Sequence, residues 1–199
     1  PTIFLAYWQN KIRPMMTEIS LNILDVTENS TRAGAKLITI LVKADTRQDT
    51  LTVSIQDNGC GMTTEQISQV TDPFFTTRTT RKVGLGVRFF KYAAESTGGS
   101  FSIESEKGKG TVVTAVFGLS HIDRMPLGDI SSTIHTLITC HPDTEFVYTY
   151  EYDNNSFTLD TRELKEILGD IPLNTPEVSQ YIMEYLTENK QETDGGALL

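Results

Sequence analysis

Apolar side chains recur at helical spacing over residues 17–32, where Ile19, Ile23 and Val26 form a stripe and Glu18, Asn22, Asp25 and Asn29 line up beside it. Gly34 marks the exit from this predicted helix. LITILV (37–42) and LTVSIQD (51–57) read as two strands joined by a polar loop. The second alternates strictly, so Asp57 shares the face of Leu51, Val53 and Ile55 and points inward. Thr63 through Gln66 forms a capping-box pattern that opens a short helix to about Val70. A loop rich in Thr and basic residues follows, then a helix from Val87 to about Ser96. Gly98-Gly99 turns the chain into FSIES (101–105), and EKGKG leads into TVVTAVF (111–117), an antiparallel pair. Beyond it the pattern predicts a helix over 129–139, a hairpin of FVYTYEY and SFTLD across Asp153-Asn154-Asn155, and a capped helix from Asp160 to Leu168. A last helix starts at Pro176 and runs to about Asn189. Residues 191–199 are expected to form a disordered tail.

A chain of 199 residues, 38% of them hydrophobic, can bury one main core with an appendage. The expected division is an N-terminal extension (1–15), a main domain (16–118), an acidic α+β appendage (119–190) and the tail (191–199). No apolar run approaches the roughly 18 residues of a membrane span, so no membrane partner is expected, and residues 1–10 lack a basic leader and a small-residue cleavage site, so no signal peptide is expected. Two cysteines, Cys60 and Cys140, make no zinc pattern and fit a reducing cytoplasm, the expected location. Charge changes the picture more. Residues 1–118 carry 13 Lys/Arg against 11 Asp/Glu, whereas residues 119–199 carry 4 against 15, within a net charge of −9. The acidic second part disfavours nucleic acid. Arg78, Arg81, Lys82, Arg88 and Lys91 nonetheless cluster in one stretch without an acid, a local phosphate signal.

Three short motifs carry candidate chemistry. Asp25 and Asn29 are four apart on a helix and emerge on one face. A carboxylate and an amide oxygen there suit Mg²⁺, which takes oxygen ligands and keeps several waters; the same spacing also suits a solvated polar face. In the run DNGCGM (57–62) an inward Asp57 needs donors, an adenine amino group being one, and Gly59 and Gly61 let a flat base approach the backbone. The alternative is a tight Asp-Asn-Gly turn. In VGLGV (83–87), Gly84-Leu85-Gly86 precedes a helix, an arrangement that binds phosphate through backbone N–H groups or simply makes a turn.

Taken in order, with DPFFTTR (72–78) and GKGT (108–111), these residues resemble the GHKL (Bergerat-fold) ATPase superfamily over about residues 17–118. TENSTRAGA (27–35) is similar to the N-box of MutL mismatch-repair proteins; GLGVRFFKYAAE, the Thr97-Gly-Gly99 turn and GKGTVVTAVF look like a histidine-kinase catalytic domain. The whole chain looks most like stand-alone ATP-binding proteins of anaerobic bacteria. The resemblance implies an α/β sandwich, a mixed β-sheet with helices on one face, that takes ATP and Mg²⁺. It implies a metal on Asn29, the adenine amino group on Asp57, and water-mediated support from Thr111. Gly84 and Gly86 would shape the phosphate loop, with Thr77 and Arg78 near the phosphates. The candidate nucleotide set is therefore Asp57, Gly59, Gly61, Met62, Thr77, Arg78, Gly84, Leu85, Gly86 and Thr111. Asp25 takes the superfamily's hydrolytic Glu position one methylene shorter, which puts base-catalysed hydrolysis in question and leaves a kinase role or a place in the Mg²⁺ shell. His135 is followed by Thr rather than an acid, unlike a phosphoacceptor box. The expected activity is a protein kinase acting in trans or a slow ATPase, with an unidentified protein partner. A nucleotide-gated binding module without turnover is the alternative.

Overall fold

Strict alternation builds the centre of the molecule. In the computed structural model, which describes residues 17–71 and 85–199, strand β1 (Leu37–Asp45) buries Ile38, Ile40, Val42 and Ala44, and strand β2 (Thr50–Asp57) buries Leu51, Val53, Ile55 and Asp57. The two pair antiparallel with Ile40 opposite Ile55, so their buried sets share one face. Strands β3 (Ser100–Glu106) and β4 (Gly110–Gly118) extend the sheet beyond β2, Val113 and Ala115 standing opposite Ile55 and Val53.

On the other side β1 pairs in parallel with β5 (Glu145–Tyr152), which pairs with β6 (Asn155–Asp160) in the expected hairpin. The result is a single six-stranded mixed sheet in the order β3-β4-β2-β1-β5-β6. Residues 119–190, expected as an appendage, thus supply two strands of the main sheet. Phe146, Tyr148 and Tyr150 continue the buried face next to Ile38, Ile40 and Val42.

Helices cover that face. Helix α1 (Ile19–Arg32) packs Ile19, Ile23 and Val26 onto it. Helix α2 (Thr64–Thr71) opens on the predicted capping box, with Thr63 N–H donating to Gln66 Oε1 (2.8 Å) and Gln66 N–H to Thr63 Oγ1 (3.3 Å). Helix α3 (Leu85–Glu95) places Phe90 against Phe101 and Phe117. Helix α4 (Ile130–Cys140), capped by Asp129, lies beside α1. The short helix α5 (Thr161–Leu168) starts at the Asp160 cap, and α6 (Pro176–Asp194) packs on α4, β5 and β6. Helix α6 runs past Asn189 and into the segment expected to be disordered. The reason lies at its end: buried Asp194 accepts from Tyr150 Oη (2.8 Å) and Lys190 Nζ (2.7 Å), and Leu199 O accepts from Leu127 N–H (2.8 Å). Among the described residues no helix is long and apolar enough to cross a membrane.

Candidate nucleotide site

The candidate site forms where the ends of β2, β3 and β4 meet the C-terminal half of α1. Register sets out a row across the sheet, Ile38–Asp57–Thr111–Ser105, on four consecutive strands. Asp57 is only 8% exposed, as its inward phase predicts. Its carboxylate is met by two donors: Ser30 Oγ reaches Oδ2 at 2.7 Å, and Gly59 N–H reaches Oδ1 at 2.8 Å. A carboxylate offers about four acceptor positions, so capacity remains for an exocyclic amino group.

The loop after Asp57 is pinned on three sides. Asn58 Oδ1 accepts from the Lys36 and Leu37 N–H groups (2.8 and 2.9 Å), which ties the loop to the start of β1. Cys60 N–H donates to Ala33 O (3.0 Å), and Cys60 O accepts from Gly108 N–H (2.8 Å). Gly61 has φ +62, and a Cβ there would overlap the Glu106 carbonyl, so the residue has to be glycine on both counts. Met62 N–H donates to Ser105 Oγ (2.8 Å), and Ser105 donates to Gly110 O (2.9 Å). Thr111 Oγ1, 2.9 Å from Ser105 Oγ, is then the donor to that serine and keeps its lone pairs as acceptors.

Asp25 and Asn29 stand on one flank of α1, both partly exposed, as their spacing predicts. Asn29 Oδ1 accepts from Arg32 Nη1 at 3.4 Å. Asp25 lies against α3: a Cβ built on Gly86 would overlap the Asp25 carboxylate. The second glycine of the GLG run is thus what lets the N-terminal turn of α3 close on the N-box helix. Leu85 begins α3, whereas Gly84, Thr77 and Arg78 lie outside the described residues, as do Arg81 and Lys82. Two members of the basic cluster have other work. Arg88 donates to Val70 O (3.2 Å) and Gln69 O (3.0 Å) at the C-terminal end of α2, and Lys91 faces Glu95 at 3.9 Å.

Sequence reasoning passed over Ser30 and Ser105. Ser30 had a signal: at positions 19, 23, 26 and 30 it continues the apolar stripe of α1, and a small polar residue there needs a buried partner. Ser105 had none, since its role depends on pairing with β4.

The donor set fits a nucleotide and a metal. The buried carboxylate has unused acceptor capacity beside a glycine-lined backbone, and the oxygens of Asp25 and Asn29 are the hard ligands Mg²⁺ takes. Comparison with known proteins supports an ATP-binding domain. Residues 9–121, more than half of the chain, match the model of the histidine kinase-, DNA gyrase B- and HSP90-like ATPases. The chain is similar to sporulation kinase E of Bacillus subtilis, 31% identical over 103 residues covering 52% of this chain and 13% of that protein. It is also similar to the sensor protein SrrB of Staphylococcus aureus, 32% identical over 101 residues covering 48% of this chain and 17% of that protein. It therefore spans less than a fifth of the length of these curated relatives. The crystal structure of the N-terminal domain of a DNA repair protein superposes with a TM-score of 0.51 at 13% identity, over 74% of this chain and 53% of that one, and shares the fold. With the mixed sheet, the N-box helix and the glycine-pinned carboxylate in place, the chain belongs to the histidine kinase-, DNA gyrase B- and HSP90-like ATPase family and carries its histidine-kinase-like ATP-binding domain.

Proposed function

We propose that this protein binds Mg²⁺–ATP between α1, the loop 57–62 and the N-terminal turn of α3, and passes the γ-phosphoryl group to a partner protein in trans, with hydrolysis slow. The observation that carries the adenine half is buried Asp57, oriented by Ser30 and Gly59 with acceptor capacity to spare. Asp57 would accept from the adenine amino group, and Thr111 would accept from it or from a bridging water. When bound, Mg²⁺ neutralises phosphate charge; Asn29 and Asp25 are the side chains that would hold it. Phosphoryl transfer asks mainly for positioning and charge neutralisation. Asp25 is one methylene shorter than the glutamate that the resemblance expects there, which favours transfer over hydrolysis, and its packing against Gly86 limits its reach.

The same contact supports a second reading. A nucleotide that parts Asp25 from Gly86 would shift α3 and change affinity for a partner without turnover. The protein would act in the cytoplasm, and the acidic residues 119–199 suit a basic or mixed-charge partner surface. Incubation with γ-labelled ATP and extract proteins separates the readings. Transfer of label to a protein supports the kinase; nucleotide-dependent association without transfer supports the gated module; free labelled phosphate as the main product supports an ATPase.

A further inference from the structure

The corner between α4 and β5, outside the family-matched residues 9–121, reaches back onto the nucleotide motifs. His141 caps α4. Its N–H donates to Leu137 O (3.2 Å) and its carbonyl accepts from Thr144 N–H (3.0 Å), so the backbone fixes where the imidazole starts. Nε2 lies 2.7 Å from Glu28 Oε1 on α1, and because a carboxylate only accepts, the ring donates. Next along the corner, Thr144 Oγ1 donates to Ala35 O (3.3 Å) and Glu145 N–H to Lys36 O (2.9 Å). Lys36 is one of the two residues whose N–H groups hold Asn58, beside Asp57.

Glu28 continues the row. Its second oxygen, Oε2, is 3.8 Å from Arg32 Nη2, and Arg32 Nη1 donates to Asn29 Oδ1 at 3.4 Å. A guanidinium can only donate, so it selects the amide orientation that presents oxygen rather than nitrogen beside it. Oxygen is the atom Mg²⁺ takes, and it retains a second lone pair. Glu28 also offsets the guanidinium charge that would otherwise oppose a divalent cation nearby. Arg32 is exposed and its two contacts are long, so the row is held at the His141 end.

We propose that His141 is a positioning residue of the nucleotide site: it fixes Glu28 and, through Glu28 and Arg32, sets the Asn29 amide for the metal. The proposal rests on the Mg²⁺–ATP reading above and gives the C-terminal segment a part in the site itself. Its test is calorimetry on the full chain with ATP in Mg²⁺ and ATP in EDTA, for wild type, His141→Ala and His141→Gln, alongside thermal melts. His141→Ala should weaken Mg²⁺–ATP about three- to tenfold, the worth of one hydrogen bond, and leave metal-free ATP within about twofold. His141→Gln, whose amide can donate to Glu28, should recover most of the loss. Unchanged Mg²⁺–ATP affinity in His141→Ala overturns the proposal, as does an equal loss with and without metal, or a glutamine variant as impaired as the alanine one. A wild type that binds no ATP in either medium instead overturns the functional reading, and this proposal with it.

Discussion

Asp57 shows how much a single carboxylate can be asked to do. Taking it out of water is costly unless donors replace the lost hydration, and here a helix serine and a loop N–H supply two of them. In the proposed site the remaining acceptor positions would make it selective. Adenine offers an amino group where guanine offers a carbonyl, so ATP should bind and GTP should bind poorly. Asp57→Asn should weaken ATP by about 1.5–3 kcal/mol, the usual worth of a hydrogen bond to a charged group. Ser30→Ala should cost less, about 0.5–1.5 kcal/mol, because it frees the carboxylate without removing it. Calorimetry reads both, and near wild-type affinity in Asp57→Asn would place the base elsewhere. Asn29 should separate metal from base: Asn29→Ala should lose the Mg²⁺ enhancement of ATP affinity and keep metal-free adenosine binding. Identical titrations with and without Mg²⁺ in mutant and wild type would reduce that helix face to a solvated one.

Between elements, the decisive contact is α1 against α3 at Asp25 and Gly86. Gly86→Ala drives a methyl into the carboxylate, and overpacking of this kind costs about 1–3 kcal/mol. The variant should melt lower and bind ATP more weakly, since both partners border the proposed phosphate end. A variant with wild-type melting and affinity would mean the helices part easily. Asp25→Asn should weaken Mg²⁺–ATP and leave metal-free ATP unchanged if the side chain holds the metal; loss of phosphate release with Mg²⁺–ATP affinity intact would make it the base instead. Elements of this scale were the most legible in the sequence. Helical stripes, the capping box at Thr63–Gln66 and the alternation that turned Asp57 inward all depend on neighbours a few residues away. What stayed hidden was long-range. Ser30 meets Asp57 across 27 positions and His141 meets Glu28 across 113, and neither pairing leaves a local pattern. The run LITILV likewise reads as a strand without saying that β5 lies beside it, because a strand paired on both sides has the same local composition whichever strand joins it.

For the whole molecule, that missing neighbour bears on where the chain can be cut. All the nucleotide motifs close by Thr111, and the strand that carries Thr111 ends at Gly118, so by motif alone a protein ending there keeps its site. The sheet argues otherwise. Beyond Gly118 come β5, which pairs with β1 along its length, and the apolar side chains Leu127, Ile130, Ile134, Leu137, Phe146, Tyr148 and Tyr150, buried in the same core as Ile19, Ile23 and Ile38. Backbone bonds add to this: Ile19 and Ser20, which begin the N-box helix, donate their N–H groups to Pro126 O and Leu127 O (both 2.9 Å). Each buried aliphatic or aromatic side chain is worth about 1.5–3 kcal/mol, so removing several exceeds the 5–15 kcal/mol that typically separates folded from unfolded domains. A chain ending at Gly118 should therefore lose its cooperative melt, bind ATP at least tenfold more weakly and expose the apolar face of β1. Circular dichroism, a thermal melt and calorimetry on that fragment test this together. A cooperative melt with ATP affinity within a few-fold of the full chain would mean that residues 17–118 fold alone and that β5 and β6 only dock onto a finished sheet.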